Sequence, residues 1–333
     1  MYLKRNNTKA KVLLKCVCLF VAATFAGCND DVFTENFLPE APLVNLSAEA
    51  DSVVVRFNAS NWDVLGLECS YGDVGTSATS LSGEPLELPL SGGGNALVSC
   101  GNDYQCLRIE KRNGRELLFA LDENLYDAPR QVYVYVGNDC ETKVIEVQLA
   151  PTPKYVVDSV AYDWAAYYSW KEDLRVEPAY SITVDNRNNM QPASVTMHPY
   201  RYSKCTTVFN SPGKIWSEQN YRLVFGDPLP KMEIPDVVDG NAVMRGREVE
   251  FGLEQQITDY GRDEDFSVEV KVDAGVRQTI YMYNGIRSYV LPYTVYASCP
   301  WSGRRKTFAG TVMHRSPEGY FVGRDEPETD SDE

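Results

Sequence analysis

Histidine is scarce in this chain, with only His198 and His314 among 333 residues. No two cysteines stand at CxxC spacing. HExxH, GxSxG and a glycine-rich phosphate loop between strand and helix are also missing. These absences exclude the common zinc, serine-hydrolase and phosphate-loop chemistries. Acidic pairs are plentiful, so a two-carboxylate glycosidase remains open on composition alone. The chain is short and lacks an α/β framework, and the reading is a non-enzyme with no cofactor and no metal site. Basic charge is short as well: 32 Lys and Arg face 47 Asp and Glu, a net charge of −15. A nucleic-acid partner needs a basic face, and so does electrostatic docking on anionic lipid, so both are disfavoured. No window carries an apolar stripe at helical spacing.

What is present begins at the N-terminus. Lys4, Arg5, Lys9, Lys11 and Lys15 precede the apolar run Cys16 to Ala23, and no acid interrupts them. That run is too short for a permanent membrane helix. A basic head, a short apolar middle and small residues before a cut are the parts of a secretory signal. The small residues of Phe25-Ala26-Gly27-Cys28 resemble a bacterial lipobox, which implies cleavage and lipidation at Cys28; an ordinary cysteine is the alternative. The following Asn29-Asp30-Asp31 resembles the surface-export signal of Bacteroidetes lipoproteins, or is a solvated acidic linker. The expected location is the outer membrane and cell surface, with release outside the cell as a further option. Loss of residues 1–27 leaves 27 basic against 47 acidic residues, a net charge of −20.

Setting aside Cys16, Cys18 and Cys28 leaves Cys69, Cys100, Cys106, Cys140, Cys205 and Cys299. An even count in an oxidising compartment reads as disulfides, with buried free thiols as the alternative. Four cysteines precede residue 150 and two follow it. The economical pairing is therefore Cys205–Cys299, with two bridges of open connectivity among the other four.

Prolines and charge punctuate the chain. Residues 28–42 read as an acidic tether. Pro151 and Pro153 cannot sit inside a sheet and set a boundary. Residues 324–333 are strongly acidic and read as a disordered tail. Between these marks the alternation is β. Val53 to Phe57 is a strand. Gln131 to Val136 and Lys143 to Leu149 make a hairpin across Gly137-Asn138-Asp139.

Residues 43–150 resemble a BACON domain, an immunoglobulin-like module of Bacteroidetes surface proteins. The resemblance rests on the first strand, on Asn61-Trp62-Asp63-Val64, on Leu121 to Leu125, on Ala128-Pro129-Arg130 and on the final hairpin. It implies a sandwich with Trp62 in its core, acting as a spacer or a sugar binder.

Residues 154–323 open on Tyr162, Trp164, Tyr167, Tyr168 and Trp170. Flat amphipathic rings suit sugar stacking or a membrane interface, and half-buried edge strands are the alternative. Then come Ser181 to Asn186, Thr206 to Asn210, Lys231 to Pro235, Glu248 to Glu254, Val270 to Gly275, Tyr289 to Val295, Phe308 to Thr311 and Gly319 to Gly323. In order, these segments resemble the C-terminal half of aerolysin and epsilon-toxin type pore formers. The expected fold class is all-β: an Ig-like sandwich followed by an elongated, aerolysin-like domain of long strands. One departure stands out. The segment equivalent to the membrane hairpin, about 206–232, carries Glu218, Arg222, Asp227 and Lys231, and alternates only over Tyr221 to Phe225.

The resemblance implies an antibacterial toxin that oligomerises into a β-barrel pore after proteolysis. The expected cut is after Arg112 or Arg115, in a polar run containing Gly114. The other reading is a glycan-binding lipoprotein of a polysaccharide-capture system. Expected partners are a surface glycan or lipopolysaccharide receptor, a membrane, an activating protease and other copies of the chain, with no nucleic acid.

Overall fold

The computed structural model describes residues 36–70, 74–90, 94–169, 175–210, 217–239 and 241–329. The chain divides into two compact units between Thr152 and Pro153. It is mostly β, with several sheets and two very long strands.

In the first unit the strands are β1 (Leu43–Leu46), β2 (Ser52–Arg56), β3 (Asp63–Cys69), β4 (Gly75–Ser80), β5 (Pro85–Leu86), β6 (Ala96–Gly101), β7 (Gln105–Arg112), β8 (Glu116–Asn124), β9 (Arg130–Gly137) and β10 (Thr142–Leu149). They form two sheets, β1-β10-β9-β3 and β2-β8-β7-β6-β4-β5. The β9–β10 hairpin pairs Gly137 with Thr142 and runs in register to Arg130 and Leu149. Its inward positions Val132, Val134, Val136, Ile145, Val147 and Leu149 are all fully buried, as period-2 alternation requires of a sheet with one covered face.

Trp62 is 2% exposed. Its ring stacks on Phe57 at 3.8 Å, and Phe57 is in turn parallel to Phe37 at 6.2 Å. The part of the expected tether from residue 36 onward is therefore structured: Phe37 and Leu38 are buried, and the Phe37 carbonyl accepts from Asn58 N. Two apolar side chains outweigh the acidity around them. Leu121 to Asn124 ends β8, and Leu121 and Leu125 are both buried.

In the second unit the elements are β11 (Val156–Tyr162), a 3-10 helix (Trp164–Ser169), β12 (Arg175–Asp185), β13 (Ala193–Met197), β14 (Lys204–Asn210), α1 (Glu218–Phe225), β15 (Lys231–Val238), β16 (Asn241–Glu250), β17 (Gln256–Asp259), β18 (Val268–Val272), β19 (Arg277–Ser298) and β20 (Arg305–Arg324). β19 has 22 residues and β20 has 20, so each is roughly 70 Å long at about 3.3 Å per residue. They pair along their length. The other edge of β19 takes β11 opposite Tyr293 to Ser298 and β12 opposite Arg277 to Ile286. Beyond β20 lie β14 and β17.

Two covers pack on this sheet. The β13–β18 ribbon closes a core of Met197, Val270, Val272, Ile280 and Met282. The other cover is formed by the described residues between β14 and β17, 217–239 and 241–255. Along β19 the buried positions change from even (Ile280, Met282, Asn284, Ile286) to odd (Tyr289, Leu291, Tyr293, Val295) as the strand passes from one cover to the other.

The acidic tail is ordered as far as it is described. Arg277 and Glu328 exchange backbone hydrogen bonds of 2.8 and 2.9 Å, and the Tyr281 hydroxyl donates to Asp325 at 2.8 Å. The exposed edge of the strand supplied backbone partners that composition does not reveal.

Candidate functional site

The cover between β14 and β17 differs from the segment that alternation selects. Tyr221 to Phe225 lies in α1 rather than in a strand. Tyr221, Val224 and Phe225 fall on one helical face and are buried, Ser217 caps the start by accepting from Asn220 N, and Gly226 ends the helix at φ 88°. Five apolar or basic residues satisfy either periodicity, and the caps decide for helix. The helix joins Phe251 in an aromatic cluster on the sheet: Tyr221–Phe251 4.8 Å, Phe225–Phe308 5.2 Å, Phe209–Phe251 5.3 Å and Phe251–Tyr293 5.7 Å. Tyr293 lies across from Gly310, where a Cβ would come within 2.7 Å of its hydroxyl.

The same cover holds a hairpin, β15–β16, a two-stranded sheet of its own that shares no ladder with the long strands. Its strands have 8 and 10 residues. Three anchors hold it. Tyr162 donates its hydroxyl to Glu233 O at 2.7 Å, and Tyr289 donates to Pro235 O.

The third anchor is a buried ionic cluster around Asp236. Arg247 Nε lies 2.7 Å from Asp236 Oδ1, the Arg262 guanidinium binds Oδ2, and His314 Nε2 of β20 is 3.4 Å from Oδ1. Thr207 of β14 meets His314 Nδ1 at 2.9 Å. Arg247 also donates to the carbonyls of Asp259 and Tyr260 at 3.2 and 3.0 Å. A buried carboxylate costs several kcal/mol unless it is paired and hydrogen-bonded, and here two guanidiniums and an imidazole surround it. Burial pushes the Asp236 carboxyl up, but His314 and the two arginines outweigh it and the net direction is down. Burial holds His314 below the ordinary histidine value, against the pull of Asp236. Sequence reading missed this cluster. Its members come from positions 207, 236, 247, 262 and 314, and no local pattern signals it.

The aromatic opening is split. Tyr162 ends β11 and turns toward the hairpin, so its hydroxyl is not free for a ligand. Trp164 is 43% exposed, edge-on to Tyr162 at 6.1 Å. Tyr167 and Tyr168 follow in the 3-10 helix, where edge strands were the alternative expectation. Trp170 and the lipidation candidate Cys28 lie outside the described residues.

Among the described residues the cysteines are unbridged, and Cys205 and Cys299, the expected pair, are held far apart. Cys205 precedes Thr206, which faces Arg315, whereas Cys299 follows Ser298, which faces Arg305. Ten steps of β20 separate those positions, about 33 Å, and a disulfide tolerates a Cα separation of at most about 7 Å. Cys106 Sγ is 3.7 Å from Asp122, and Cys140 is exposed beside the β9–β10 turn. Cys69 and Cys100 meet across the sandwich.

Arg112 ends β7, and Arg115 follows Asn113 and Gly114, both at positive φ. Arg115 N donates to Arg112 O at 3.1 Å, Arg115 O accepts from Phe57 N at 2.8 Å, and Asn113 N donates to Asn95. The expected cut therefore falls in a tight, hydrogen-bonded turn.

No family model and no curated protein sequence matches the chain. Among solved structures it is similar to the lamprey immune protein, with 11% identity, 83% of this chain and 98% of the other covered, and a TM-score of 0.36. It is also similar to an aerolysin-like protein from Bombina maxima, with 14% identity, 51% and 97% covered and a TM-score of 0.24. A third is parasporin-2, a Bacillus thuringiensis toxin that recognises cancer cells, with 14% identity, 60% and 76% covered and a TM-score of 0.25.

Proposed function

We propose that the chain is a surface lipoprotein, anchored through Cys28, whose second unit is an antibacterial β-pore former released by proteolysis. The observation that carries this reading is the β15–β16 hairpin. It lies on the sheet without sharing its ladder, so it can leave without breaking a strand pair. Its arms approach the 9–11 residues of a membrane-spanning strand, and α1 in the same insertion supplies further length on unwinding.

The tip residues Val238, Ala242, Val243 and Met244 are apolar, and the last two are each 38% exposed. Lys231, Glu233, Glu248 and Glu250 pair on one face near the base; in a barrel they line water while the tip meets lipid. Trp164 provides the receptor contact, to a surface glycan or lipopolysaccharide. Other copies of the chain complete the barrel.

The test is dye release from vesicles and sensitive cells after limited proteolysis. The double variant Val243→Glu, Met244→Glu is expected to keep its thermal midpoint and lose most of the release. Full release by that variant rejects the hairpin. Replacing Arg112 and Arg115 by Gln tests activation, since cutting there requires the turn to open locally. Full killing by the uncut variant rejects that step. No release by the cut native chain, together with retention on immobilised glycan, selects the glycan-capture reading.

A further inference from the structure

We infer that Cys69 and Cys100 are a disulfide site that staples the two sheets of the first unit, and that Cys106 and Cys140 stay outside it. The two sulfurs are 3.2 Å apart. Cys69 closes β3 opposite Val132 in one sheet, and Cys100 sits on β6 between Thr76 and Leu107 in the other. Val132 and Leu107 are fully buried and Cys100 is 1% exposed, so both thiols are held by flanking ladders and aimed into the same gap. Closing to a bond of about 2.05 Å takes about 1 Å of sulfur movement, within reach of side-chain rotation and without any slip in register.

The chemistry has a direction. Cys69 is half-buried while Cys100 is inside. The hydrogen bond from Cys100 lowers the Cys69 thiol, and the same bond together with burial raises Cys100. Cys69 is therefore the attacking thiolate. It displaces one thiol from a disulfide oxidant, such as glutathione disulfide, and forms a mixed disulfide. Cys100 then gives up its proton, attacks the Cys69 sulfur and expels the second thiol. The two protein thiols lose two electrons and two protons, and the oxidant gains them as two thiols.

The pairing also bears on cleavage. Both cysteines lie before Arg112, so the bridge does not join the products of a cut after Arg112 or Arg115; the β7–β8, β2–β8, β1–β10 and β3–β9 ladders and the packing of the sandwich would hold them.

The experiment is done on the purified full chain, so it stands or falls apart from the export reading. After treatment with glutathione disulfide, non-reducing peptide mapping is expected to give one Cys69–Cys100 linked peptide, two hydrogens lighter than its parts, with Cys106 and Cys140 alkylated. The thermal midpoint of the first unit should rise on the order of 10 °C over the reduced protein. That rise should vanish in Cys69→Ser and Cys100→Ser. Mapping that finds both thiols alkylated as fully as Cys140, or either of them linked to another cysteine, overturns the assignment. The mapping uses the native sequence, so a variant that fails to fold does not blunt it.

Discussion

The two units bury their interiors by different means. The first is closed by apolar alternation around Trp62, and Lys111, its one deeply buried cation among the described residues, is met by the Trp62 ring at 4.7 Å, the Trp62 carbonyl at 3.1 Å and Asp63 at 3.5 Å. The second fastens a whole hairpin to its long strands through a carboxylate, two guanidiniums and an imidazole. Apolar burial is non-directional and resists changes of pH. An ionic latch depends on each partner keeping its charge and place. The sandwich is built as a permanent body, and the hairpin as a fastened part.

The largest expected effects set these two against each other. Asp236→Ala leaves Arg247 and Arg262 without their anion and should destabilise the second unit by about 3–5 kcal/mol. Trp62→Ala empties the centre of the sandwich and should destabilise the first by about 3–5 kcal/mol. Calorimetry resolving two transitions should show each variant moving its own transition and sparing the other. A single merged shift in both variants would break the comparison.

A smaller effect follows from His314. Its folded pKa is depressed, so folding favours the neutral ring. The stability this contributes is whole above the ordinary value of about 6.5 and is lost as the pH falls below it toward the depressed folded value. Asp236, also depressed, gives way only in the lower carboxylate range. The midpoint of the second unit should therefore decline between about pH 7 and pH 5 while that of the first stays level. His314→Gln should flatten the decline, and an unchanged slope in that variant would assign the titration elsewhere.

The smallest effect on stability belongs to Trp164→Ala. With its ring exposed, the change should be within about 0.5 kcal/mol. Binding to cells or immobilised glycan should nevertheless fall. Lost stability with unchanged binding per folded molecule would make the ring a packing element.

Much of the fold was legible because strands advertise themselves by period. The β9–β10 hairpin reads directly from Val132, Val134 and Val136 against Ile145 and Val147. The single strand β20 was visible only as two pieces, Phe308 to Thr311 and Gly319 to Gly323, because Arg315, Ser316, Pro317 and Glu318 interrupt the alternation between them. Helix α1 was illegible as a helix, since Tyr221 to Phe225 serves both periods. The candidate site was the least legible part. The aromatic opening drew notice by its density, yet Tyr162 donates to β15, and the segment selected by alternation holds α1.

The sequence by itself determined the all-β class, the break at Pro151 to Pro153, the buried place of Trp62 and the acidic charge, because each depends on composition or on residues close in the chain. Only the tertiary structure decided which cysteines meet, what holds Asp236 and where the hairpin lies. Those depend on which strands pair and in what register, between segments as far apart in the chain as Thr206 and Arg315. Such a register is set by the packing of whole sheets, and no local pattern contains it.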